Sequence, residues 1–91
     1  MLIIQTTKQF EKDYKKIFKS GQKDMEKIKK IMTQLANSEQ LEEKHRDHIL
    51  IGNHIGRREC HIESDWLLIY RFIDEDKIRF ERTGSHSELF S

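Results

Sequence analysis

RRECHIESDWLLIYRFIDEDKIRFERT, residues 57–83, is the run whose pattern decides the fold. It divides into three extended segments, Arg57 to Glu63, Trp66 to Ile73 and Lys77 to Thr83. Turns at Glu63-Ser64-Asp65-Trp66 and Asp74-Glu75-Asp76 separate them. Each segment is rich in Ile, Tyr, Phe or Trp, and each boundary carries Asp or Ser, so the run predicts an antiparallel three-strand meander. With Ser64-Asp65 as the hairpin turn, His61 is expected opposite Leu68. Arg57, Glu59 and His61 then share an open face with Leu68, Tyr70 and Phe72. Cys60, Ile62, Leu67, Ile69, Ile73, Ile78 and Phe80 take the packed face.

Upstream the period changes. Leu2-Ile3-Ile4 predicts a strand, and Thr6-Thr7 can cap the helix that follows. Phe10, Tyr14, Ile17 and Phe18 fall on one face of that helix, which Ser20-Gly21 ends. From Asp24 onward, Met25, Ile28, Ile31, Met32 and Leu35 repeat at helical spacing as far as Asn37-Ser38, and the two methionines read as core filler. So short a connection predicts an antiparallel helical hairpin. Residues 38–47 read as loop, and His48-Ile49-Leu50-Ile51 as a short strand stopped by Gly52-Asn53. The expected class is therefore α+β. A strand and two-helix hairpin pack on a mainly antiparallel sheet of four to five strands, in β-α-α-β-β-β order with a short C-terminal turn.

Ninety-one residues are enough for one domain, 1–91, and no more. There is no Pro and a single Cys60, so the chain has no internal disulfide and no thiolate cluster for a structural metal. Nothing reaches the length of a membrane span, and the apolar N-terminal run is too short for a signal peptide. A cytoplasmic protein with no membrane partner is expected. Net charge is only +1, but residues 1–34 hold nine lysines against four acids. That basic half suits a phosphate backbone, although lysine-rich helices also serve solubility.

Chemistry concentrates near the strand ends. His48, His61 and His86 lie beside expected strand or turn ends, and Asp65 and Trp66 follow His61 closely. Cleaving RNA requires a base for the 2′-hydroxyl proton, donors for the charged phosphorane and an acid for the 5′-oxygen. Imidazole suits both proton roles, because its ordinary pKa of ~6.5 populates both forms near neutrality. Taken singly, a strand-end histidine is more often solvated than catalytic, Asp65 is a natural turn residue, and Trp66 and Phe90 suit a core. Metal is a competing use of His45, His48, His54, His61 and Asp65, but no established zinc spacing is present. No cofactor is expected.

Three blocks carry a resemblance: Asp47-His48-Ile49-Leu50-Ile51-Gly52, then Arg58 through Tyr70, then Arg79-Phe80-Glu81-Arg82-Thr83-Gly84-Ser85-His86-Ser87-Glu88-Leu89-Phe90. They resemble the YafQ branch of the RelE/ParE toxin superfamily, and the likeness extends over nearly the whole chain. The resemblance implies a RelE-like toxin domain of a type II toxin–antitoxin pair. Such a toxin is an endoribonuclease that cuts messenger RNA on the translating ribosome and is silenced by a cognate antitoxin, whose complex with it can bind operator DNA. It implies an active site at His48, His61, Asp65, Trp66, His86 and Phe90, with Arg82 at the scissile phosphate.

On this reading His86 or Asp65 activates the 2′-hydroxyl, and His48 or His61 protonates the leaving oxygen. Trp66 and Phe90 stack bases, and Lys8, Lys12, Lys15, Lys16 and Lys19 hold ribosomal RNA. Ile51 and His54 stand where relatives often carry a basic residue and an aromatic. Two other readings use the same fold: a ParE-like poison that binds a target such as DNA gyrase without chemistry, and a catalytically silent RNA-binding module.

Overall fold

A computed structural model of the chain describes residues 1–52 and 56–90. Strand β1 (Ile3–Thr6) runs into helix α1 (Lys8–Ser20) through Thr7, whose hydroxyl accepts from Phe10 N at 2.9 Å. Gly21, in the left-handed conformation at φ 67°, ends α1. Asp24 then caps α2 (Met25–Ala36) by accepting from Glu26 N. A 3-10 turn (Glu43–His45) leads to β2 (His48–Ile49). The meander follows as β3 (Arg58–Glu63), β4 (Trp66–Asp74) and β5 (Lys77–Gly84), and a short helix α3 (His86–Phe90) closes the described chain. The sheet order is β1-β5-β4-β3-β2, with β1 parallel to β5 and every other pair antiparallel. The expected α+β class, helical hairpin and mainly antiparallel sheet are therefore present, with four strands after the hairpin where the expected order had three and the helix α3 in place of a C-terminal turn.

Details differ from the sequence reading. The strand expected over 48–51 pairs only at His48 and Ile49, although Leu50 N still donates to Arg57 O. The polar stretch 38–47 holds the 3-10 turn and buries Leu41. Asn53 and His54 lie outside the described residues.

The faces are the main correction. Cys60, not His61, pairs with Leu68, and His61 pairs with Leu67. Leu68 and Tyr70 therefore join Cys60, Ile62, Ile78 and Phe80 against Phe10, Ile28, Ile31 and Leu35 of the helices. Leu67 and Ile69 turn instead to the second face, with Glu59 and His61. The cause is a bulge between His61 and Glu63, which a simple two-residue count across Ser64-Asp65 does not include. A second irregularity lies between Phe80 and Arg82, opposite Ile69 and Tyr70.

Where β1 ends, α1 takes over its place beside β5. Thr7 donates its hydroxyl to Glu81 O at 2.8 Å, and Asp13 Oδ2 accepts from Thr83 N at 3.2 Å. Both would otherwise be unpaired groups at a strand edge. Arg82 reaches the same Asp13 through Nε at 2.8 Å and Nη2 at 3.3 Å.

Inside, the Trp66 indole N–H donates to Thr83 Oγ1 at 3.0 Å, and that hydroxyl donates on to Leu67 O at 2.8 Å. Thr83→Val keeps the shape but strands both partners. Because an unmatched buried polar group costs roughly 1–3 kcal/mol, the variant should melt several degrees lower in a calorimetric scan. An unchanged melting temperature would mean that this link contributes nothing.

Candidate active site

The edge pairing of β2 with β3 sets His48 opposite Glu59, and the alternation of β3 puts His61 on the same face as Glu59. Glu59 is 6% exposed, and its Oε1 lies 3.6 Å from His48 Nε2 and 3.4 Å from His61 Nε2. One nearly buried carboxylate thus bridges two imidazoles, and each contact becomes an ion pair when its imidazole is protonated. His48 Nδ1 donates to Arg46 O at 2.5 Å, and a carbonyl can only accept. The Nδ1 position of His48 thereby carries a hydrogen, which leaves Nε2 as the ring nitrogen that faces Glu59.

The start of β2 is tied to the sheet interior. Tyr70 donates its hydroxyl to Asp47 Oδ1, Arg58 Nη2 lies 3.3 Å from Asp47 Oδ2, and Arg58 Nε donates to the Tyr70 oxygen at 3.2 Å. Burial first, and then the Asp47 carboxylate, push the Tyr70 hydroxyl far above its ordinary range, so it stays a donor. His45, on the 3-10 turn, donates from Nδ1 to the His61 carbonyl at 2.7 Å. It thereby occupies the β3 edge beyond the short β2.

A second group gathers at the same end of the sheet, because His61, Leu67 and Gly84 form one row across β3, β4 and β5. Past Gly84 the chain turns into α3 through a reciprocal cap. Ser85 N donates to Glu88 Oε1 at 2.9 Å, and Glu88 N donates to Ser85 Oγ at 3.2 Å. Asp65 Oδ1 accepts from His86 N at 2.9 Å, so the hairpin turn also holds the start of this helix. One helical turn brings the Phe90 ring to 5.0 Å from the His86 ring. A Cβ at Gly84 would come to 3.2 Å from Glu88 Oε1, a tight contact that the capping carboxylate would have to relieve by shifting a few tenths of an ångström.

The structure therefore joins His48 to His61 through Glu59, and Asp65 to His86 and Phe90. It does not join Arg82 to them: its guanidinium is engaged with Asp13 of α1. Trp66 is a correction. It is 1% exposed, deep in the core, with Lys23 Nζ 5.8 Å from its ring centre. A ring without accessible area cannot stack on a base, so Trp66 supports the site from beneath. Lys8, Lys12, Lys15, Lys16 and Lys19 are all exposed along α1, and Lys16 pairs with Glu88 at 2.9 Å.

Glu59, Asp47 and Tyr70 escaped the sequence reading as site-forming groups, and His45 entered it only as a possible metal ligand. The signals present were the i, i+2 spacing of Glu59 and His61 and the Ser85-x-x-Glu88 capping pattern. Among the described residues, no three His, Cys, Asp or Glu side chains converge in a way that would hold a metal ion. No described helix is long and apolar enough to cross a membrane. Cys60 is fully buried, and burial, followed by the charges of Asp47 and Glu59, pushes its thiol well up, which excludes a ready thiolate.

The α3 cap carries a pH dependence. The Ser85 backbone N–H, and then Lys16, lower the Glu88 carboxyl from 4.5 to about 2. A carboxyl whose pKa is depressed by folding stabilises the folded form above its ordinary pKa, and that contribution is lost as pH falls toward the depressed value. The protection factors of the amides of residues 85–90, which remove the intrinsic pH dependence of exchange, should therefore fall between pH 4.5 and about 2. This acid-dependent part should be absent in Glu88→Gln. A flat profile in the unaltered chain would mean that the cap does not hold the helix.

Comparison with known proteins places this geometry. A family model described as the bacterial toxin YafQ of a type II toxin–antitoxin system matches residues 2–91. The mRNA interferase toxin YafQ of Escherichia coli K12 is 43% identical over 88 residues, which cover 96% of this chain and 94% of that protein. YafQ in the E. coli DinJ–YafQ complex superposes with a TM-score of 0.86 at 40% identity, covering all of both chains. A metal-bound toxin from Helicobacter pylori gives a TM-score of 0.87 at 41% identity, covering 99% of this chain and all of that one. With the matching fold and the cluster of histidines and acids at one sheet end, the chain belongs to the YafQ family of type II toxin–antitoxin toxins.

Proposed function

We propose that this chain is an endoribonuclease that cuts messenger RNA during translation, through side-chain acid–base attack of the 2′-hydroxyl on the adjacent phosphate. The observation that carries the reading is the placement of two proton-transfer groups at one end of the sheet. One is His48–Glu59–His61 and the other is Asp65–His86. In-line attack needs a base on one side of the phosphate and an acid on the other. Relatives that carry the name mRNA interferase support the same reading.

In this mechanism His86, whose backbone is held by Asp65, takes the 2′-hydroxyl proton. His48 or His61 gives a proton to the departing 5′-oxygen, and Glu59 stabilises the charged imidazole and orients it. Phe90, half-buried against His86, supplies a face for a base. Arg82 stabilises the phosphate if substrate draws it from Asp13, and otherwise anchors α1 to β5. The lysines of α1 hold ribosomal RNA through its phosphates, without reading sequence. By analogy with the E. coli DinJ–YafQ toxin–antitoxin complex, the partner is a cognate antitoxin protein.

The test is induction in a bacterium, with mRNA 5′ ends mapped. The wild-type chain should arrest growth and cut within translated frames. His86→Ala and His61→Ala should each lose about 10²–10⁴-fold in cleavage rate. Activity within a few-fold of wild type in both variants would remove this site, and arrest with intact messages would point to a binding poison.

The two aromatics should separate. Phe90→Ala should slow cleavage with little change in melting temperature. Trp66→Ala should lose about 3–5 kcal/mol of stability, as large-to-small core changes do. Equal behaviour of the two variants would contradict the assignment of Trp66 to the core.

A further inference from the structure

On the second face of the sheet, Arg71 of β4 stands directly opposite Arg79 of β5. Like charges in that position repel, and a sheet built only for stability has no use for them. Arg57 joins the pair from the residue just before β3. All three approach one carboxylate, Glu81: Arg57 Nε at 2.8 Å, Arg71 Nε at 3.4 Å and Arg79 Nη1 at 3.8 Å. Glu81 is mostly covered, with its side chain 12% exposed, whereas those of Arg71 and Arg79 are 37% and 38% exposed. One carboxylate offsets one guanidinium, and Arg57 lies nearest to it, so among the described residues it is Arg71 and Arg79 that present positive charge to solvent on groups already held in place.

The location of the cluster gives that charge a meaning. Along β4, Leu67 pairs with His61, Ile69 with Glu59, and Arg71 is the next residue on that face. At ~3.4 Å per residue, the arginine row lies ~7 Å from Glu59 and ~14 Å from His61. That is the spacing over which successive phosphates of an extended single strand pass. Guanidinium forks bind phosphate oxygens in pairs, which a lysine patch does not do.

We propose that Arg57, Arg71 and Arg79, organised by Glu81, bind a backbone phosphate of single-stranded RNA one or two nucleotides from the cleaved bond. This assignment rests on the nuclease reading above and adds to it a substrate-positioning site that the histidine cluster does not contain. Repulsion between Arg71 and Arg79 is relieved when the phosphate binds, so the cluster favours the RNA-bound state. The site recognises the backbone and carries no base preference.

The experiment uses the full chain and a labelled 12-nucleotide RNA carrying 2′-deoxy sugars, which binds without being cut. Affinity is measured by anisotropy across a salt series, and cleavage of message on programmed ribosomes is measured in parallel. Arg71→Gln and Arg79→Gln should each weaken binding about fivefold or more and reduce the slope of log affinity against log salt by about 0.7, the single-strand value for one lost phosphate contact. The double variant should lose more affinity but no more slope than that one contact, while melting temperatures stay within about 3 °C of the unaltered chain.

Wild-type affinity and slope in the double variant, with normal cleavage on ribosomes, would overturn the platform and leave the nuclease reading standing. Unchanged RNA binding with lost binding to a polyglutamate peptide would also overturn it, in favour of a protein-facing surface. A wild-type chain that neither binds the oligonucleotide nor cuts message would overturn the nuclease reading, and the platform with it.

Discussion

A hydrogen-bonded link inside the core sets the geometry on which the site depends: Trp66 to Thr83, and Thr83 to the carbonyl of Leu67. Burying an indole N–H without a partner is costly, so the indole and the β5 hydroxyl constrain one another. The link ties the first residues of β4 to the last residues of β5. That relation fixes where Gly84 leaves the sheet, and therefore where α3 begins. Asp65 lies one residue before Trp66 and so reaches His86 N. A shift of β5 by one residue would break the core link and carry His86 away from Asp65.

The protein also distributes its charge in a consistent way. Four carboxylates, Asp13, Asp47, Glu59 and Glu81, are largely withdrawn from water, and each faces cations or imidazoles from a different element. Isolated buried charges would be expensive, but paired ones specify which strand or helix stands where. Asp13 attaches α1 to β5, and Asp47 attaches the start of β2 to β3 and β4. Glu59 and Glu81 differ from these two in having more potential partners than one carboxylate can satisfy. Each stands where the proposed mechanism places substrate, Glu59 by the proton-transfer histidines and Glu81 by the phosphate platform.

The three-block resemblance pointed to a RelE-like domain of the YafQ kind, and the fold and family both agree with it. His48, His61, Asp65 and His86 stand out as candidates because histidines and an acid at strand ends are chemically distinctive, whereas Phe90 enters only through the resemblance. Trp66 was expected to stack on a base, and its burial does not fit that role, since sequence does not distinguish a rim aromatic from a core one. Glu59 was placed on the correct face beside His61. Its bridging position between two imidazoles needed the short β2, whose pairing brings His48 across from it. Arg82 stands out in sequence by its place in the third block, whereas nothing local singles out Arg71 and Arg79, because their direct pairing is a matter of register.

By itself the sequence determined the helix caps, the apolar stripes and the meander, because each is written in periodicity and turn chemistry over a few neighbouring residues. Only the tertiary structure decided which face of β4 meets the helices, that Trp66 is buried, and which cations share each carboxylate. Strand alternation has a period of two, so a single bulge residue between His61 and Glu63 exchanges the faces without altering the local pattern. The packing of Leu68 and Tyr70 against the helical core selects between the two arrangements, and that choice depends on residues more than thirty positions away in the chain.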